Sequence, residues 1–117
     1  MFDWQYFSPD SKPVTSSSGI TLPTTPISEA DDLETLVICA PNTAQHFDDS
    51  RVLKTLKKFG NQGVNLGSVS SGSFLLAKAG LLDECRCTIH WENIPVFKEI
   101  YPHLEVTFTL YEINNKR

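Results

Sequence analysis

Serines at positions 68, 70, 71 and 73 and glycines at 67 and 72 crowd the stretch GSVSSGS, and a histidine follows at position 90. A serine hydroxyl becomes a nucleophile when a neighbouring base takes its proton, and histidine can supply that base. Ser68-Val69-Ser70-Ser71-Gly72 matches the G-x-S-x-G pattern, with serine in place of the first glycine. In that pattern the central residue sits on a strained strand-to-helix turn, where only small neighbours fit. Such a turn also points N–H groups at a helix N-terminus, which favour an anion or oxyanion. The plainer reading of the same residues is a serine-capped helix start, with Gly72 allowing close packing. Gly67 and Gly72 also have the separation of a phosphate-binding loop. The lysine that would reach the phosphates is replaced by Ser73, with Phe74 next, which argues against a nucleotide site.

His90 follows Ser70 by one helix and one strand, so both can reach the same sheet edge. It is either the base of a Ser–His pair or a histidine packed at a strand end beside Trp91. A working triad needs a carboxylate to orient the imidazole. Glu92 is close in sequence, and no other residue is marked for that role. Cys85, Cys87 and His90 spell C-x-C-x-x-H. A closed metal site needs a fourth ligand, and neither Cys39 nor His46 is evidently placed to supply it. Cys85 and Cys87 are therefore read as small core residues on one face of a strand, with no metal expected.

The elements that would position these residues follow from the apolar pattern. TLVICA, residues 35–40, is a continuous β-branched run, as in a strand buried on both faces. DDSRVLKTLKKFG predicts a helix capped by Asp49 or Ser50. Its apolar face carries Val52, Leu53, Leu56 and Phe59, its lysines are solvated, and Gly60 stops it. A second strand is predicted over 64–69, a short helix over 71–80 and a third strand over CRCTIHW, 85–91. A third helix covers IPVFKEIY, with Pro95 in its first turn. LEVTF and LYEIN predict two terminal strands, antiparallel about Thr109. Alternating strands and helices define an α/β sheet with crossover helices, where ligands collect at the C-terminal strand ends. The first thirty residues are rich in Ser, Thr and Pro. DWQYF and GITL nevertheless predict short strands there, in ordered, mostly extended structure.

Composition narrows the function classes. The chain has 117 residues, 40% apolar, with a formal net charge of −4. That is one globular domain by length, and the acidic balance disfavours general nucleic-acid binding. No apolar run reaches the roughly eighteen residues that a membrane span requires. The first residues lack the basic and apolar regions of a secretion signal. Three cysteines without such a signal point to free thiols and a cytoplasmic location.

GSVSSGSFLLAKAGLLDECRCTIHWEN resembles the class I glutamine amidotransferase-like domain of the ThiJ/PfpI superfamily. It is most similar to the version fused to AraC-family transcriptional regulators, often termed GlxA-like. The small-residue elbow, FLLAKAGLLD and CTIHWEN carry the resemblance most strongly. SSSGITLP, DDLETLVICAPN and YPHLEVTFTLYEINNKR extend it over nearly the whole chain. The resemblance implies a flavodoxin-like three-layer sandwich with a mostly parallel sheet. In catalytic relatives the elbow residue is cysteine, and here it is Ser70. In the regulators the elbow is often not cysteine and the domain acts as a sensor. His90 matches the histidine that faces the elbow. The family domain has a strand and helix before DWQYF, a carboxylate in its catalytic members, and further helices after EINNKR. In the regulators a helix-turn-helix module then follows. Residues 1–117 are therefore expected to be a partial domain without the helix-turn-helix, with an incomplete sheet and an open edge that invites association.

The function so implied is non-catalytic sensing of a small metabolite, with amino acids or quaternary amines as plausible effectors. Ser70, Ser71 and His90 would line the crevice. Trp91 would stack on a cation, or else pack in the core, and Glu92 would pair with one. No cofactor is implied. A homodimer is, and DNA would be met only through a domain absent from this chain. The alternatives are a serine-variant amidohydrolase or acyl-transfer enzyme using Ser70 and His90, and a nonfunctional remnant.

Overall fold

The computed structural model describes residues 3–41 and 43–114. They fall into two compact units, Met1–Leu33 and Glu34–Arg117. In the first unit, β1 (Phe7–Ser8) runs parallel to the later β4 (Thr25–Pro26), and β2 (Val14–Thr15) pairs antiparallel with β3 (Thr21–Leu22). Gly19 turns the β2–β3 hairpin at φ +89°, a conformation that glycine adopts without a steric penalty. The segment is extended, as expected. The strand predicted over DWQYF is however reduced to Phe7, and Trp4 and Tyr6 are exposed.

The second unit carries the α/β pattern. β5 (Thr35–Ala40) and β6 (Asn65–Ser70) are parallel, in register from Thr35 opposite Asn65 to Ala40 opposite Ser70. Helix α1 (Ser50–Asn61) connects them. The Asp49 carboxylate accepts from the Arg51 N–H at 3.0 Å, satisfying one of the unpaired donors of the first turn. Val52, Leu56 and Phe59 are buried, on one helical face. The helix does not stop at Gly60. It ends at Gly63, where φ is +81°. The Val64 N–H donates to the Phe59 carbonyl and the Gly63 N–H to that of Gly60, a Schellman motif that needs the left-handed residue at position 63.

After β6 comes α2 (Ser73–Lys78), shorter than the predicted 71–80 and closed by the same motif at Gly80. β7 (Arg86–Cys87) is parallel to β8 (Glu105–Val106), with α3 (Ile94–Ile100) between them in sequence. Phe97 of α3 is fully buried and meets Phe74 of α2 edge-on, with ring centres 5.3 Å apart.

Three expectations are corrected here. β5 is not buried on both faces. Ile38 faces the core, whereas Val37 and Cys39 are exposed, as is Val69 on β6. Val37, Cys39 and Val69 lie on the same face of the β5–β6 pleat, the one turned away from the core. The third strand is two residues long, not seven, and among the described residues no antiparallel pair forms about Thr109. The reason is the threonines. The Thr88 hydroxyl lies within hydrogen-bond reach of the Thr107 and Thr109 carbonyls, and the Thr109 hydroxyl of the Tyr111 carbonyl. These side chains claim the acceptors a β-ladder would use, so residues 107–114 run as an irregular arm along β7.

The cysteines divide by burial. Cys87 is buried, Cys85 half-buried and Cys39 exposed. Burial, with Cys85, Glu112 and Glu105 adding repulsion, pushes the Cys87 thiol up to about 11. Since the thiolate is the reactive form, iodoacetamide at neutral pH should modify Cys39 first and Cys87 last in the folded protein. Peptide mass spectrometry would read the order, and early labelling of Cys87 would contradict its placement in the core.

Candidate functional site

Ser70 ends β6 with φ +54°, in the left-handed region that serine seldom occupies. The chain reverses at once into α2, and the Gly72 N–H closes the turn on the Val69 carbonyl at 3.0 Å. Gly72 lies against the sheet. A β-carbon there would come within 2.6 Å of the Ile38 carbonyl oxygen and 2.9 Å of the Ser68 Cβ. Strain at 70 and a forced glycine at 72 are what a strand-to-helix elbow demands. The simple capped helix start does not account for them. The position-72 N–H is not free, and α2 has only six residues, so the helix end offers less to an anion than its sequence suggests.

The serines of the stretch have separate roles. Ser73 donates to the Thr88 carbonyl at 2.8 Å, so the Ser68 hydroxyl, 3.0 Å away, donates to Ser73. Together they tie β6 and α2 to the strand end after β7. Ser71 is 0% exposed, and its hydroxyl accepts from the Asn93 side-chain amide at 3.0 Å. Of the two serines at the turn, Ser70 is exposed and Ser71 buried. Asn93 is one residue of the site that the sequence pattern does not mark. Its partner lies 22 residues away, and only its place in the HWEN run could have drawn attention to it.

His90 caps the short 3₁₀ turn Trp91–Asn93, its Nδ1 accepting from the Glu92 N–H at 3.3 Å. With Nδ1 used as an acceptor, the neutral ring carries its proton on Nε2 and offers a donor there. Among the described residues no carboxylate hydrogen-bonds this ring. The Trp91 indole stacks on it, with ring centres 5.8 Å apart. Trp91 is 72% exposed, so it is not a core residue.

Ser70, His90 and Trp91 line one open trough of about 760 Å³, bounded on its far side by the arm with Tyr111 and Glu112. Ser71 is sealed behind the wall, and Glu92 is exposed outside the lining. The geometry therefore brings together three of the five residues singled out by sequence and replaces Glu92 with Glu112 as the nearby carboxylate. Among the described residues no three His, Cys, Asp or Glu side chains are grouped to hold a metal.

An α/β unit with a strained small-residue elbow and a histidine in the same trough defines a class, and the DJ-1/PfpI family model matches residues 2–103. The chain belongs to the DJ-1/PfpI family, whose fold is flavodoxin-like. It is 36% identical to the HTH-type transcriptional regulator CdhR of Pseudomonas aeruginosa, over all of this chain and 35% of that protein. It is 38% identical to the isonitrile hydratase of Pseudomonas putida, over 70% of this chain and 37% of that protein. The crystal structure of an AraC family transcriptional regulator from Pseudomonas putida superposes with a TM-score of 0.81 at 24% identity, covering 99% of this chain and 63% of that one. The chain thus spans about a third of the length of these curated relatives. Among the described residues no helix is long and apolar enough to cross a membrane.

Proposed function

We propose that this chain is the small-metabolite-sensing part of an AraC-type transcriptional regulator, and that its trough binds a ligand without cleaving it. The observation that carries the reading is the state of the Ser70–His90 pair. The elbow residue is a serine, the imidazole acceptor nitrogen is spent on the Glu92 N–H, and among the described residues no carboxylate hydrogen-bonds the ring. A serine without a base stays protonated and weakly nucleophilic. Similarity to a regulator over the full chain supports the same reading. The cellular setting is the cytoplasm, the working form a homodimer, and DNA is met by a segment outside these residues. The ligand is a small polar metabolite, with amino acids and quaternary amines the first classes to try.

A second reading, hydrolysis through Ser70, is kept in view by the strained elbow and by the similarity to isonitrile hydratase. A thermal-shift screen against amino acids and betaines separates the two. A ligand of the native state raises the melting temperature by mass action. Ser70→Ala should keep affinity for any hit within about tenfold, the loss of one hydrogen bond, whereas His90→Ala should weaken it further by removing the Nε2 donor and the stack on Trp91. Conversion of a hit to product by the wild type, lost in Ser70→Ala, would overturn the sensing reading.

A further inference from the structure

We propose that Asn93 is a positioning residue: its hydrogen bond to Ser71 locks the turn that carries His90 and Trp91 onto the elbow that carries Ser70. This rests on the ligand-binding reading above and adds the contact that keeps the two halves of the site in register. Ser70 reaches the trough between β6 and α2, whereas His90 and Trp91 reach it between β7 and α3. The chain is pinned on both sides of that second segment, by Ile89, 6% exposed, and Ile94, 3% exposed. No residue of the intervening turn Trp91–Asn93 is buried, so polar contacts must hold it. Within the turn, the Asn93 N–H donates to the His90 carbonyl at 2.8 Å and the Glu92 N–H to His90 Nδ1 at 3.3 Å, which closes residues 90–93 into one loop. Between the turn and the elbow residues 70–72, the 3.0 Å bond from Asn93 Nδ2 to the Ser71 hydroxyl is the one hydrogen bond among the described residues.

Helix capping does not account for the asparagine. Asn93 immediately precedes α3, a position where asparagine commonly accepts from an N–H of the first turn. Its φ of −94° and ψ of −7° are nevertheless helical, and its side chain makes no cap bond. Pro95 has no N–H to offer it. The side chain turns to Ser71 instead. That residue is 0% exposed, between Ser70 at φ +54° and Gly72, which lies against the Ile38 carbonyl. An elbow so strained and so closely packed has no room to shift. It is a fixed reference for whatever bonds to it. Loss of the Asn93 donor would leave a hydroxyl short of a partner where water does not reach, and would free the His90 turn to swing between Ile89 and Ile94.

The test compares the wild type, Asn93→Ala, Ser71→Ala and the double variant by NMR relaxation dispersion, which reports microsecond-to-millisecond exchange. Each is then titrated with sodium acetate, whose carboxylate the His90 Nε2 donor can meet. In the wild type the amides of residues 90–92 should give flat profiles. Either single variant should bring exchange to those amides and leave Phe74 and Phe97 flat. The double variant should show no more than either single, because both remove the same bond. The acetate Kd, read at the Ser70 amide, should rise about threefold or more in each single variant, the scale of one hydrogen bond, and no further in the double. Asn93→Asp, to which the Ser71 hydroxyl can donate instead, should restore the flat profiles. Flat profiles in Asn93→Ala, exchange spread equally to Phe74 and Phe97, additive effects in the double variant, or an unchanged acetate Kd would overturn the assignment. Should Asn93→Ala fail to fold, Ser71→Ala carries the same expectations. If neither acetate nor the amino acids and betaines of the screen move a trough resonance, the ligand-binding reading falls, and the dispersion profiles still decide the role of Asn93.

Discussion

Gly72→Val should destabilise the protein by about 2–4 kcal/mol, the range for overpacking combined with strain, measured as a fall in the urea midpoint with an unchanged slope. The reason is the space behind the elbow. The first added carbon already meets the Ile38 carbonyl at 2.6 Å and the Ser68 Cβ at 2.9 Å, both parts of the β5–β6 pair rather than ends of flexible side chains. The backbone must move to admit it, and the residue two positions before is already at φ +54°. Gly72→Ala meets the same atoms and should be destabilising too, by less. A change near zero for valine would mean that α2 does not press on the sheet and that the elbow is an ordinary loop.

Phe97→Ala should be about as damaging or more so, at about 3–5 kcal/mol. Phe97 is fully buried and packs edge-on against Phe74 and at 5.3 Å from the Tyr101 ring. Phe74 belongs to the helix that starts at the elbow, and Phe97 to the helix that follows His90 and Trp91. The pair therefore holds α3 against α2. Phe97→Leu, which keeps most of the apolar volume, should recover much of the loss. If alanine and leucine are both near neutral, the placement of α3 on α2 is wrong.

How far the sequence discloses this arrangement depends on the range of the interactions. TLVICA as a strand, the α1 helix and the helix after the elbow are written in local periodicity, and the structure has all three, with Leu53 only half-buried on the predicted α1 stripe and α2 shorter at both ends. The elbow at Ser70 shows because crowding there excludes large neighbours, leaving a run of small residues. The pattern marks Gly60 as the helix stop because a glycine is visible, whereas the backbone conformation that ends the helix belongs to Gly63. The arm is not the strand its pattern predicts because Thr88 and Thr109 have good strand propensity and yet spend their hydroxyls on nearby carbonyls. Asn93 and Glu112 were missed for a related reason. Asn93 owes its role to a partner 22 residues away, and Glu112 was read as part of the strand LYEIN.

The central claim is that the Ser70–His90 pair binds and does not catalyse. A fluorophosphonate probe tests it most directly, because it modifies a serine only where a base has activated the hydroxyl. With His90 Nδ1 held by the Glu92 N–H and no carboxylate on the ring among the described residues, Ser70 should remain unlabelled at neutral pH by mass spectrometry, in the wild type as in His90→Ala. Stoichiometric labelling of Ser70 that disappears in His90→Ala would contradict the account.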